Sequence, residues 1–301
     1  MLENYMLRLG YTKKQVDFLR NVRPLNELKE ETLLENVKIN WSFLITLGLT
    51  DKEIIKMSMR LPAIYIYDEN NLKEKISFLK TIEKDKKRLL KMIKVLPSFF
   101  SYSVDYLKNK IDELMAMGYS YDDVILMIKK MPAIVSYSNK NRIDRFNYLL
   151  SLGYQKEELL YITKNCPDIY AYSDETLNEK IENIKSFGYT MEDIIKMTKN
   201  FPMLYASSVE NIKEKLEFYQ SIGLTDFILK DTKNLMQSID LSYARCEFYK
   251  YKKIHLDNEN YRLLFRDQGY FKRVYGFSNQ SLIKMYNYDK YLEEKRNNNS
   301  L

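Results

Sequence analysis

Residues 97–132 read PSFFSYSVDYLKNKIDELMAMGYSYDDVILMIKKMP, and the order of signals in this stretch decides the fold. Ser103 stands where a helix N-cap belongs, and Leu107, Ile111, Leu114 and Met115 follow as an apolar stripe at helical spacing. Gly118 closes this first helix, helix A, as a residue able to take a left-handed backbone, with Tyr119 packing back onto the last turn. Ser120 then caps helix B, whose first turn holds Asp122 and Asp123, where the helix dipole favours negative charge. Pro132 stops helix B, because it lacks an amide donor and restrains the residue before it.

The same punctuation recurs along the chain. Pro62, Pro97, Pro132, Pro167 and Pro202 are each 35 residues apart, and Gly118, Gly153, Gly188 and Gly223 share the spacing. Gly48 lies two periods before Gly118, and Glu83 occupies the slot between them. Gly10 to Pro24 repeats the distance from Gly48 to Pro62, so the array begins with the first residues and carries a three-residue insertion before Gly48. Thr50 with Glu53, Gln155 with Glu158, and Thr190 with Asp193 stand at the capping-box distance. A fixed period of this length marks a repeat array, and every unit reads as two helices. After Gly223 the expected proline position is Gln237, but Arg245–Tyr249 (RCEFY) echoes Lys215–Tyr219 (KLEFY) five residues early, which predicts a degenerate unit.

The expected fold is therefore all-α, a solenoid of 35-residue two-helix repeats with a short turn at each repeat proline. Residues 1–237 are assigned to the array, 238–292 to a degenerate repeat and terminal cap, and the polar stretch 293–301 to a disordered tail.

Composition bounds the function classes. The chain has 301 residues, 45% of them hydrophobic, enough to bury a core. Mean hydropathy is −0.45 and no stretch approaches the length of a membrane span, so no membrane partner is expected. Met1–Gly10 runs straight into repeat sequence without an apolar or arginine-rich presequence, and only Cys166 and Cys246 are available for disulfides. A cytoplasmic location is the expectation, or an organellar one if the chain is already processed. His255 is the sole histidine and forms no ligand cluster with the cysteines. Nucleophile elbows, metalloprotease helices and phosphate-cradling glycine loops are missing, so an enzyme, a metal, a cofactor and a small-molecule substrate are not expected.

Net charge is +7, an excess compatible with a nucleic-acid partner, and the stretch from Leu241 to the end contributes +5 of it. Thirteen residues after each repeat proline stand Lys75, Lys110, Arg145, Lys180 and Lys215. One reading is a ladder of phosphate contacts along an edge of the solenoid. The other is pairing between repeats, with the acids one residue earlier: Glu74, Asp144, Glu179 and Glu214. A second basic column, Lys94, Lys129, Lys164 and Lys199, closes helix B, where the dipole favours cations. Tyr67, Tyr102, Tyr137 and Tyr172 form an aromatic column that either stacks on unpaired bases or packs between repeats. Near the C-terminus, Arg262, Arg266, Lys272 and Arg273 alternate with Phe265, Tyr270, Phe271 and Tyr275, the best basic and aromatic patch in the chain unless it is a plain cap.

The units Leu47-Gly48-Leu49-Thr50 to Pro62-Ala63-Ile64, Met117-Gly118-Tyr119-Ser120 to Pro132-Ala133-Ile134, Leu152-Gly153-Tyr154 to Pro167-Asp168-Ile169, and Phe187-Gly188-Tyr189-Thr190 to Pro202-Met203-Leu204 resemble the mitochondrial transcription termination factor (mTERF) family. The resemblance covers about residues 9 to 237. It implies a curved superhelix, a superhelical solenoid of two-helix units with a short 3₁₀ turn at each repeat proline, that binds nucleic acid in a basic groove and acts in transcription, its termination, or RNA metabolism. Double-stranded DNA is placed slightly ahead of RNA. A monomer is expected, with a protein-binding scaffold as the alternative role.

Overall fold

The computed structural model describes residues 1–291 and 293. The tail expected at 293–301 lies, Glu293 apart, outside the described residues. Among the described residues every regular element is helical. The helices are α1 (Leu2–Arg8), α2 (Lys13–Asn21), α3 (Glu30–Leu47), α4 (Asp51–Arg60), α5 (Glu69–Ile82), α6 (Lys86–Val95), α7 (Val104–Ala116), α8 (Tyr121–Lys130) and α9 (Asn139–Ser151). They continue with α10 (Lys156–Asn165), α11 (Asp174–Lys185), α12 (Met191–Asn200), α13 (Val209–Ser221), α14 (Asp226–Lys230), α15 (Ile239–Tyr251), α16 (Gln268–Tyr275) and α17 (Asn279–Met285). Met1–Ile143 form one compact unit, and the chain from Asp144 onward forms a second.

Each repeat proline opens a 3₁₀ turn, at Pro62–Tyr65, Pro97–Ser101, Pro132–Ser136, Pro167–Ala171 and Pro202–Ala206. The residue before each proline has left the helical region, Met131 with φ −135° and ψ 83°, because the proline ring excludes the α conformation there. The glycines take the left-handed backbone their spacing predicts, Gly48 at φ 104° and Gly118 at φ 116°, where a Cβ would be strained. The capping boxes at Thr50, Ser120, Gln155 and Thr190 are all formed.

The core of a repeat is built from three contributions. In the Pro97 unit Leu107, Ile111 and Leu114 come from helix A, Val124, Met127 and Ile128 from helix B, and Phe99 and Phe100 from the turn. Met115, read as part of the helix A stripe, is 39% exposed: one position past Leu114 rotates it out of the buried face. The tyrosine after the glycine is more than an apolar staple. Tyr11 hydroxyl bonds Ser58 and Tyr65, and in the second unit Tyr154 bonds Thr198 and Tyr205 in the same way.

The degenerate unit is explained by a shortened helix. α14 has 5 residues where α12 has 10, so the next 3₁₀ turn, Thr232–Met236, arrives five residues before its periodic place without a proline. The array then ends on α15 to α17, where Ala244, Phe248, Tyr249, Phe271 and Leu282 form a separate apolar cluster. Its partly buried rim includes Tyr270 and Tyr275.

Candidate nucleic-acid interface

The column of helix A cations does not form an exposed ladder. Lys75, Lys110, Lys180 and Lys215 are buried, with 4 to 7% of their surface exposed. Lys75 Nζ donates to the Phe100 carbonyl at 2.5 Å and Lys215 Nζ to the Leu235 carbonyl at 2.5 Å. Lys180 Nζ donates to the carbonyl of Ser207. The acceptors of Lys75 and Lys215 belong to the 3₁₀ turn that opens the next repeat, and that of Lys180 is the residue directly after such a turn. A short 3₁₀ segment leaves carbonyls without partners, and once buried they require a donor. An ammonium group supplies three donors and no acceptor, on a stem long enough to cross from helix A.

The expected partners one residue earlier do not form ion pairs with these lysines. Glu74, Glu179 and Glu214 act only at longer range, raising the lysine pKa values against burial, which is the larger effect and leaves all three lowered. Arg145 departs from the pattern and pairs with the Asp174 carboxylate at the start of α11.

The column is longer than its five basic members. Asn40, one full period before Lys75 but sixteen residues after Pro24 because of the three-residue insertion, donates its amide to the Ile64 and Tyr67 carbonyls at 2.9 and 3.0 Å. Arg245, displaced by the shortened α14, donates to the Leu264 carbonyl at 2.7 Å. Sequence reasoning missed both as column members, although the RCEFY echo pointed at Arg245.

Arg142 was missed as well. It stands in the helix A column that holds Leu72, Leu107, Leu177 and Ile212 in the other units, and a charge in an apolar column was the available signal. The guanidinium is fully buried and donates to the Ile134 and Tyr137 carbonyls at 3.2 and 2.8 Å. It thus serves the Pro132 turn itself. Lys110 is turned instead to Glu113 Oε2 at 2.8 Å, and Glu113 also receives Arg142.

The tyrosine column is half-buried, and two of its members lie beneath the same lysines. Lys75 Nζ lies 4.7 Å from the centre of the Tyr67 ring and Lys180 Nζ 5.1 Å from that of Tyr172. Tyr102 stacks on Tyr106 with centroids 4.7 Å apart, and Lys110 lies over Tyr106. The ring faces pictured as stacking platforms for bases at Tyr67, Tyr102 and Tyr172 are therefore covered on one side by groups of their own repeat.

The helix B lysines do more than answer the dipole. Lys94 pairs with Glu53 at 2.7 Å and Lys199 with Glu158 at 2.6 Å, each acid being the capping-box residue of the preceding helix B. Lys129 reaches Glu83 at 3.5 Å.

What remains open to solvent at the C-terminal patch is its charge. Arg262, Arg266, Lys272 and Arg273 are exposed, whereas Phe271 is buried and Phe265, Tyr270 and Tyr275 are partly covered. Arg266 lies 5.2 Å from the centre of the Tyr270 ring, and Arg262 sits 3.6 Å from Asp231. The patch is thus cap on its aromatic side and cationic surface on the other. Chemistry on a thiol has little support: Cys166 is fully buried, and burial pushes the Cys246 thiol up to about 12. Among the described residues no group of His, Cys, Asp and Glu could hold a metal ion.

No curated protein matches the chain. A sequence model of the mTERF family matches residues 3–145 and again 123–223, the same stretch over which the proline turns, left-handed glycines and buried cation column repeat. With its two-helix repeats and their 3₁₀ proline turns, the chain belongs to the mTERF family.

Proposed function

We propose that this chain binds nucleic acid through the sugar–phosphate backbone, double-stranded DNA ahead of RNA, and acts in transcription termination, transcription regulation or RNA metabolism. Family membership sets the context. The observation that carries the reading is that Arg262, Arg266, Lys272 and Arg273 keep their charges at the surface while the neighbouring aromatics fold inward. Cations presented in this way neutralise phosphates and release counterions without reading bases.

The test is binding of the full chain to duplex DNA and to single-stranded RNA over a series of salt concentrations. Replacing the four residues together by Gln should weaken binding irrespective of sequence. Each lost phosphate contact lowers the slope of log affinity against log salt by about 0.9 on B-form DNA or about 0.7 on single strands. Wild-type protein that binds neither polymer at low salt would transfer the preference to a protein-binding scaffold.

A further inference from the structure

The segment from Lys80 to Lys91 breaks the repeat in two ways. In the glycine slot Glu83 holds an extended backbone, φ −133°, in place of the left-handed turn. Its carboxylate is buried, accepts the Asp85 amide at 3.0 Å and meets Lys129. The second break is electrostatic. α4, α8, α10, α12 and α14 all place acids in their first turn, whereas α6 begins Lys86-Lys87-Arg88 with none. α2 also lacks an acid there, but it has only Lys13 and Lys14 in that turn.

Lys80, Lys84, Lys86, Lys87, Arg88 and Lys91 are all exposed. Among the described residues none of the six is within ion-pair distance of a carboxylate, in contrast to Lys94, Lys129 and Lys199. Asp85 is the one acid at the surface of this run, and its side chain accepts the Arg88 amide as the helix cap at 2.8 Å. Cations at a helix N-terminus oppose the dipole, and Lys87 and Lys91 repel each other at the i,i+4 spacing. This arrangement costs stability unless an anion lies over it.

Two clefts flank α6. One, of about 450 Å³, carries Lys80, Lys84 and Lys86 around an apolar floor that includes Leu47 and Leu90. The other, of about 390 Å³ on the opposite face of the helix, carries Arg88 and Lys91 beside Lys129, which is paired there with Glu83. A small anion in the first cleft would leave Arg88 and Lys91 on the other face uncompensated, since Glu83 answers only Lys129. A chain of phosphates answers both.

We infer that this surface of the first compact unit, Lys80 to Lys91 with Lys129 beside it, is a second nucleic-acid contact that grips the phosphate backbone across α6. It rests on the nucleic-acid reading for the identity of the polyanion, and it is separate in sequence and in compact unit from the arginines of the C-terminal cap.

The test uses the full chain in which Lys84, Lys86, Lys87 and Lys91 are all replaced by Gln, assayed for duplex DNA binding by fluorescence anisotropy from low to moderate salt. The expected result is weaker binding with the log–log salt slope reduced by about 3 to 4, that is about 0.9 for each contact, and unchanged helicity by circular dichroism. Hydrogen exchange on the wild type, which needs no variant, should show residues 80–95 slowed by added duplex. Wild-type affinity and slope in the variant, or unaltered exchange at 80–95 while the wild type binds DNA, overturns this site and leaves the proposed function standing. A wild type that binds neither DNA nor RNA overturns both.

Discussion

Lys75 Nζ donates to the main-chain carbonyl of Phe100, 25 residues further along the chain, while its ammonium lies 4.7 Å from the centre of the Tyr67 ring. A single side chain thereby joins helix A of one repeat to the turn that opens the next and covers the aromatic at its own entrance. Lys180 does the same between Tyr172 and the Ser207 carbonyl. Lys75, Lys180 and Lys215 are thus fasteners between neighbouring repeats, which in a repeat array is where much of the stability resides.

Replacing Lys75 by Met keeps the aliphatic stem and removes the donor. The Phe100 carbonyl is then buried without a partner, at a cost of about 1–3 kcal/mol. Urea unfolding should show this loss. Affinity for nucleic acid and its salt slope should stay at wild-type values, and a flattened slope would return Lys75 to the phosphate-binding surface.

Arg245 has more to lose. Its guanidinium donates to the Leu264 carbonyl, to Gln237 Oε1 at 3.1 Å and to Asn279 Oδ1 at 2.9 Å, and it lies 4.2 Å from the centre of the Phe271 ring. These contacts hold the last turn and α17 to α15. Arg245→Met should cost about 3 kcal/mol or more, since several acceptors are stranded together. Hydrogen exchange should rise across residues 261–285 ahead of α11 to α13. Uniform loss of protection across the whole second unit would contradict a local fastening role.

Glu53 provides the pH-dependent case. The hydrogen bond from Lys94, and then that from the Thr50 amide, hold its carboxyl at about 2, against an ordinary value of 4.5. A carboxyl lowered on folding contributes stability that is fully present above about 4.5 and is lost as pH falls through about 2. Glu53→Gln retains the capping-box geometry but not the charge. Stability measured by urea titration from pH 5 to about 2 should therefore fall less steeply in the variant than in the wild type. Parallel curves would show that the Lys94 pair is too well solvated to matter.

Much of the fold was legible from residue identities because its determinants are local. Ser120 caps the amide of Asp123, Gly118 turns left-handed, and Pro132 forces Met131 out of the helix; each acts within a few residues of its own position. Periodicity then propagated one unit along the chain, and even the early RCEFY echo found its cause in the five residues missing from α14.

The candidate site divides along the same line. Sequence alone determined that basic residues recur every 35 positions and that Arg262 to Arg273 mix cations with aromatics. Only the tertiary structure decided which charges face water. Lys75, Lys180 and Lys215 find their acceptors 25, 27 and 20 residues away, in or directly after the turn that opens the next repeat. Packing within the terminal cluster of Ala244, Phe248, Tyr249 and Leu282 buries Phe271 and leaves Lys272 and Arg273 outside. A helix position beside an apolar stripe is compatible with either fate, and the choice falls to whether the neighbouring repeat presents an unsatisfied polar group within reach of the side chain.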